Sequence, residues 1–129
     1  MLAPTTVATN KILFIDNRPD HLQQPVLRLQ LAGYEVETAT TGAEGLGKLQ
    51  GDGFDLLIVD ADLPNEDGWN VVREVRQDPD LEEVKVIVFM AERGETGKLA
   101  LVPVDAELRR PFSLGALLQT VEKVLGRHR

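Results

Sequence analysis

The sequence predicts a single α/β domain, a parallel sheet with helices on both faces. Three observations carry that prediction. Short continuous apolar runs, KILFI (11–15), FDLLIV (54–59) and VKVIVFM (84–90), are rich in Ile, Val and Phe, as strands buried on both faces are. Segments of helical period separate these runs. Strand and helix alternate about five times, with no shift in composition and no long linker.

Taken in order, residues 1–10 read as a loose tail, 11–126 as the domain and 127–129 as a basic end. KILFI is the first strand. In 19–32, apolar residues such as Leu22, Val26 and Leu29 recur at helical spacing, and Pro25 falls among them. Its ring would remove a hydrogen bond to the carbonyl of His21, so either a kink or a helix beginning near Pro25 is expected. YEVET (34–38) alternates, as a strand near an edge does. Segment 41–50 is a poor helix on propensity, because Gly42, Gly45 and Gly47 each cost roughly 1 kcal/mol against alanine. FDLLIV is the third strand. Trp69, Val72 and Val75 form the next helical stripe, with Asp67–Gly68 opening it through a capping carboxylate. VKVIVFM follows, then an irregular 92–104 segment, then a weak fifth strand in VDAELR (104–109). Ser113 caps a last helix with Leu114, Leu117, Leu118, Val121 and Leu125 on one stripe.

Composition excludes several classes. The 129 residues suit one domain with a real core, and 43% hydrophobic with 27% charged residues argues against disorder. The net charge of −7 speaks against direct nucleic-acid binding, since phosphate backbones attract basic surfaces. No apolar run is long enough to cross a membrane, and MLAPTTVATN lacks the features of a secretory signal. Zero cysteines exclude disulfides and fit a cytoplasmic location.

In a parallel sheet the strand ends converge on one edge, where open α/β sheets bind ligands. Here that edge gathers Asp16 and Asn17 after the first strand, Asp60 after the third, Met90 and Ala91 after the fourth and Arg110 after the fifth. A four-residue apolar run thus stops at Asp60 because the strand is a mount for a carboxylate.

KILFIDNRPD, FDLLIVDADLPNEDGW, VKVIVFMA and RRPF, in this order and spacing, resemble the receiver domain of two-component response regulators. The resemblance covers roughly residues 10–126 and implies a flavodoxin-like sheet of order 2-1-3-4-5. It implies a sensor histidine kinase or another signalling protein as partner. It also implies a partner or homodimer surface on the 92–104 segment and the last helix. Position by position, Asp60 matches the phosphoacceptor. Asp16 matches the first acidic residue of a Mg²⁺ site, and Asp62 would offer that metal its backbone carbonyl. Asn17 stands where the directly coordinating carboxylate belongs. Met90 replaces a Ser or Thr, Arg110 replaces a Lys in contact with the phosphate, and Glu107 replaces the aromatic switch residue.

These substitutions carry physical expectations. Asn17 lacks the charge that a hard, oxygen-seeking cation needs, so Mg²⁺ binding should be weak. Arg110 keeps the charge and could hold a phosphoryl group by two parallel hydrogen bonds, though its shape differs from that of Lys. A thioether at Met90 cannot donate to a phosphoryl oxygen. Arg18 would bring the site near neutrality without metal if it pointed inward; as a lone loop cation, it is more simply a surface residue. Asp62 and Glu66 are read as solvated loop charges, and Trp69 as core.

The expected function is therefore that of a non-enzymatic, atypical receiver acting through protein contacts, with weak or absent phosphorylation at Asp60. The alternative within the family is a working phosphoacceptor that uses Arg110. The alternative from another class is a haloacid-dehalogenase-like phosphatase, with Asp60 as nucleophile and Asp62 as general acid/base. That motif normally follows the first strand of a longer chain. Flavin binding would need a phosphate loop that DNRPDH does not supply. GETGK (94–98) and GLGKLQG (45–51) fail as nucleotide loops, with Leu99 and Gln50 at required positions. The chain reads equally as a single-domain regulator or as a piece whose effector follows Arg129.

Overall fold

A computed structural model describes residues 10–51, 53–64, 67–90 and 103–126. The expectations for the tail up to residue 9, for Glu66, for Ala91 and the irregular segment through residue 102, and for residues 127–129 lie outside these.

Five strands, β1 (Lys11–Ile15), β2 (Glu35–Ala39), β3 (Leu56–Asp60), β4 (Lys85–Met90) and β5 (Ala106–Arg109), form one sheet. All neighbours are parallel and the order is β2-β1-β3-β4-β5, as the resemblance implies. Helices α1 (Gln23–Leu31), α2 (Gly42–Leu49), α3 (Asp67–Gln77) and α4 (Leu114–Leu125) pack against it, with 3₁₀ turns at Pro19–His21 and Pro79–Leu81. The single-domain α/β prediction holds, with strand ends displaced by a residue or two.

Successive strand residues point to opposite faces, and each face has its own core. Leu13, Ile15, Leu57, Val59, Val86 and Val88 pack with Leu49 of α2 and with Trp69, Val72 and Val75 of α3. Ile12, Phe14, Leu56, Ile58, Ile87 and Phe89 pack with Leu29 of α1 and with Leu117 and Val121 of α4. Leu56 to Val59 are each 0% exposed. Burying one such side chain stabilises by roughly 1.5–3 kcal/mol, so β3, like β1 with Ile12 to Ile15 also 0% exposed, is a firmly held mount for a carboxylate.

The helical segments bear out one expectation, a helix that begins near Pro25, correct a second and explain a third. α1 begins at Gln23, which makes Pro25 its third residue, and the first helical bond runs from Val26 N–H to the Leu22 carbonyl at 2.9 Å. A first-turn N–H has no helical partner to lose, so Pro25 starts the helix without kinking it. Asp67 does not cap its own helix: its Oδ2 accepts the N–H of Gly42, the first residue of α2, at 2.7 Å. Two of the three glycines of α2 follow from close approach, while a Cβ at Gly47 would meet nothing within 4 Å. A Cβ at Gly42 would overlap the Asp67 carboxylate, and one at Gly45 would overlap the Ile15 side chain. Thr41 compensates for poor propensity by capping Glu44 N–H at 3.1 Å, while Glu44 accepts the N–H of Thr40 at 2.9 Å.

Candidate functional site

The register sets the strand ends level: Ile15 lies beside Val59, Asp60 beside Phe89 and Met90 beside Arg109. Asp16 N–H bonds the Ala39 carbonyl at 3.1 Å, and Arg110 N–H bonds the Met90 carbonyl at 2.9 Å, so the residues just past the strands are tied to the same edge. Asp16 is 1% exposed and Asp60 0%, the two buried charged residues among those described.

Each carboxylate has one oxygen committed to its own loop. Asp16 Oδ1 accepts Arg18 N–H at 2.9 Å, and Asp60 Oδ1 accepts Asp62 N–H at 2.8 Å. These turns fix the side chains and aim the remaining oxygens at one another's neighbourhood. There they meet Arg110. One of its terminal nitrogens lies 3.3 Å from Asp60 Oδ2 and 3.8 Å from Asp16 Oδ2, while the other lies 3.3 Å from Asp62 Oδ2. The guanidinium also sits 5.7 Å from the Phe89 ring centre, a cation–π contact that holds it over the sheet edge. Arg18 reaches in from the other side, its Nη2 3.8 Å from Asp60 Oδ2. Despite these two cations, Asp60 Oδ2 is buried and makes no hydrogen bond among the described residues.

The structure thus brings together Asp16, Asp60 and Arg110 at the expected edge, and adds Arg18 and the Asp62 carboxylate. Arg18 is exposed, as expected, yet its charge lies within 3.8 Å of Asp60. Asp62 is likewise more than a solvated charge, since it shares the Arg110 fork. Asn17 is exposed and lines a surface groove of about 440 Å³ with Thr40, Thr41, Leu63 and Asp67. Met90 is buried, its thioether in the apolar core. Glu107 is exposed, 3.9 Å from Arg109 Nε. Trp69 is core, as expected. The signal for Phe89 beneath Arg110 lay in RRPF following an aromatic strand end, but pairing two separate strands is a tertiary fact.

Burial pushes the Asp16 carboxyl above its ordinary value of 3.8. The Arg18 N–H pulls the other way, Asp60 adds to the rise, and Arg110 and Arg18 oppose it. A carboxyl raised on folding holds its proton longer in the native state, so its contribution to stability is best below pH 3.8 and falls as pH rises through the raised value. Asp16→Asn keeps an acceptor for Arg18 N–H and removes the buried charge. It should stabilise the fold at pH 7, a gain that shrinks towards pH 4. Urea denaturation at both pH values measures it; a loss of stability at pH 7 would refute it.

The response regulator receiver domain model matches residues 12–122. The chain belongs to that family. It is 30% identical over 106 residues to the sensor protein EvgS of Escherichia coli K12, covering 82% of this chain and 9% of EvgS. It is 30% identical over 120 residues to the transcriptional regulatory protein BasR of the same organism, covering 92% of this chain and 53% of BasR. The chain therefore spans about half of the one relative and less than a tenth of the other. Among solved structures it is similar to the chemotaxis response regulator CheY4 of Vibrio cholerae, at TM-score 0.82 and 30% identity, covering 90% of this chain and 98% of that one. No comparison supports the phosphatase alternative, and the Asp62 carboxylate it would use is paired with Arg110. No described helix is long and apolar enough to cross a membrane.

Proposed function

We propose that this chain is an atypical, non-enzymatic receiver that signals through protein contacts, with Asp60 phosphorylated weakly or not at all. The observation that carries this reading is the state of Asp60: fully buried, with its counter-charge supplied from within by Arg110 and Arg18. A phosphodonor must displace a guanidinium to reach Oδ2. Met90 then offers it no hydroxyl, and Glu107 offers no aromatic group to relay the change. The partner is a sensor histidine kinase or another signalling protein in the cytoplasm, and the last helix is part of the surface it meets, with a homodimer there as one form of the contact.

The donor set does not fit a tight Mg²⁺ site. Asp16 and Asp60 supply two carboxylates, Asn17 is neutral and exposed, and a guanidinium nitrogen lies within 4 Å of each carboxylate. Among the described residues no group of three His, Cys, Asp or Glu is placed to hold a metal ion. A second reading, a working acceptor using Arg110, is favoured by the 3.3 Å approach of its fork to Asp60, which could engage a phosphoryl group at two points. Intact mass after incubation with acetyl phosphate and Mg²⁺ decides between them. The expected result is no adduct above that of Asp60→Asn; a clear adduct that vanishes in this control would establish the second reading.

A further inference from the structure

The oxygen to which both arginines are directed is the key observation. Asp60 Oδ2 is buried, receives no hydrogen bond among the described residues, and lies 3.3 Å from Arg110 and 3.8 Å from Arg18. Its lone pairs are thus uncommitted, and its charge is balanced by proximity alone. Asp16 Oδ2 faces the same guanidinium at 3.8 Å.

Two carboxylate oxygens within 4 Å of one guanidinium nitrogen suit a small hard cation, which seeks oxygen ligands and negative charge. What opposes such a cation here is like charge. Arg110 is anchored by its backbone bond to Met90, by Asp62 and by the Phe89 ring. Arg18 is different: its backbone is turned back onto Asp16, and its guanidinium reaches Asp60 from a side chain that is 50% exposed. It is the cation that can leave without unfolding anything.

We propose that Arg18 is a resident counter-ion that keeps divalent cations away from Asp16 and Asp60, and that its removal raises their affinity for Mg²⁺. The proposal rests on the reading of the chain as a receiver with weak metal affinity. It makes the resting conformation of this receiver indifferent to the magnesium concentration.

The test is the melting temperature in about 10 mM MgCl₂ against EDTA, since a ligand that binds only the folded state raises it. Wild type should not shift. Arg18→Ala should rise by roughly 3 °C or more, with Mg²⁺ affinity by calorimetry at least about tenfold above wild type, the consequence of losing a unit charge a few ångströms from the ion. Arg18→Lys, which keeps the charge, should remain close to wild type. Lys123→Ala, which removes a distant exposed charge on α4, should not respond. Asp60→Asn added to Arg18→Ala should abolish the response. If Arg18→Ala is as indifferent as wild type, or responds no more than Lys123→Ala, the counter-ion role is wrong and the receiver reading stands. If wild type itself shifts by several degrees, the weak-metal reading fails as well.

Discussion

Arg110→Ala should destabilise the fold by about 2–4 kcal/mol, the cost of leaving buried carboxylates without their main cation. Breaking a buried ion pair by removing one partner typically costs about 3–5 kcal/mol, because the remaining charge stays desolvated. Two features lower the figure here. The Arg110 side chain is 26% exposed, and Arg18 still stands 3.8 Å from Asp60 after the change. One feature raises it: the guanidinium serves Asp16, Asp60 and Asp62 at once and covers the Phe89 ring. Arg110→Lys should recover part of the loss, since an ammonium keeps the charge but cannot fork between Asp60 and Asp62. Asp60→Asn in the Arg110→Ala background should recover more, because the charge left unpaired is then gone. A double-mutant cycle in urea denaturation measures this coupling, and additive effects at the two positions would refute the pairing.

The same pair shows what could and could not be read beforehand. Strands were legible because their signal is local: unbroken Ile, Val and Phe runs bounded by polar residues. Their parallel arrangement then made Asp16, Asp60 and Arg110 neighbours without knowledge of any contact. The direction of Arg18 was not legible. A loop arginine two residues past a strand can point anywhere, and only the turn of its N–H onto Asp16 aims it inward. Asp67 was misread for a related reason. A carboxylate at the head of a helix matches the capping pattern of that helix, yet the donor it serves is Gly42, on the neighbouring helix. Gly42 and Gly45 of α2 looked like a propensity fault and proved to be clearances for Asp67 and Ile15. Local rules failed where one helix borrows its ends from another, and these places border the acidic edge.

Gly68→Ala should be as damaging as the loss of Arg110, though it alters no charge. Gly68 is the second residue of α3, and the reason for glycine there is the space a Cβ would take. That Cβ would collide with the backbone carbonyl of Asp60 and approach Ala61 Cα at 3.2 Å. A backbone carbonyl cannot rotate aside as a side chain can. Either the first turn of α3 must lift or the end of β3 must shift, and β3 is held by four fully buried residues. Lifting α3 draws Trp69, Val72 and Val75 away from the core they share with Val59 and Met90. Overpacking of this kind costs typically 1–3 kcal/mol, and a clash with backbone belongs at the upper end, so about 3 kcal/mol is expected. The change should be readable in two ways: a lower urea midpoint, and an altered Trp69 emission in the folded baseline as that buried indole moves. A neutral substitution, with both unchanged, would mean that the α3 helix is free to slide on the sheet. The end of β3 would then have no fixed geometry to hold Asp60 against Arg110 and Arg18.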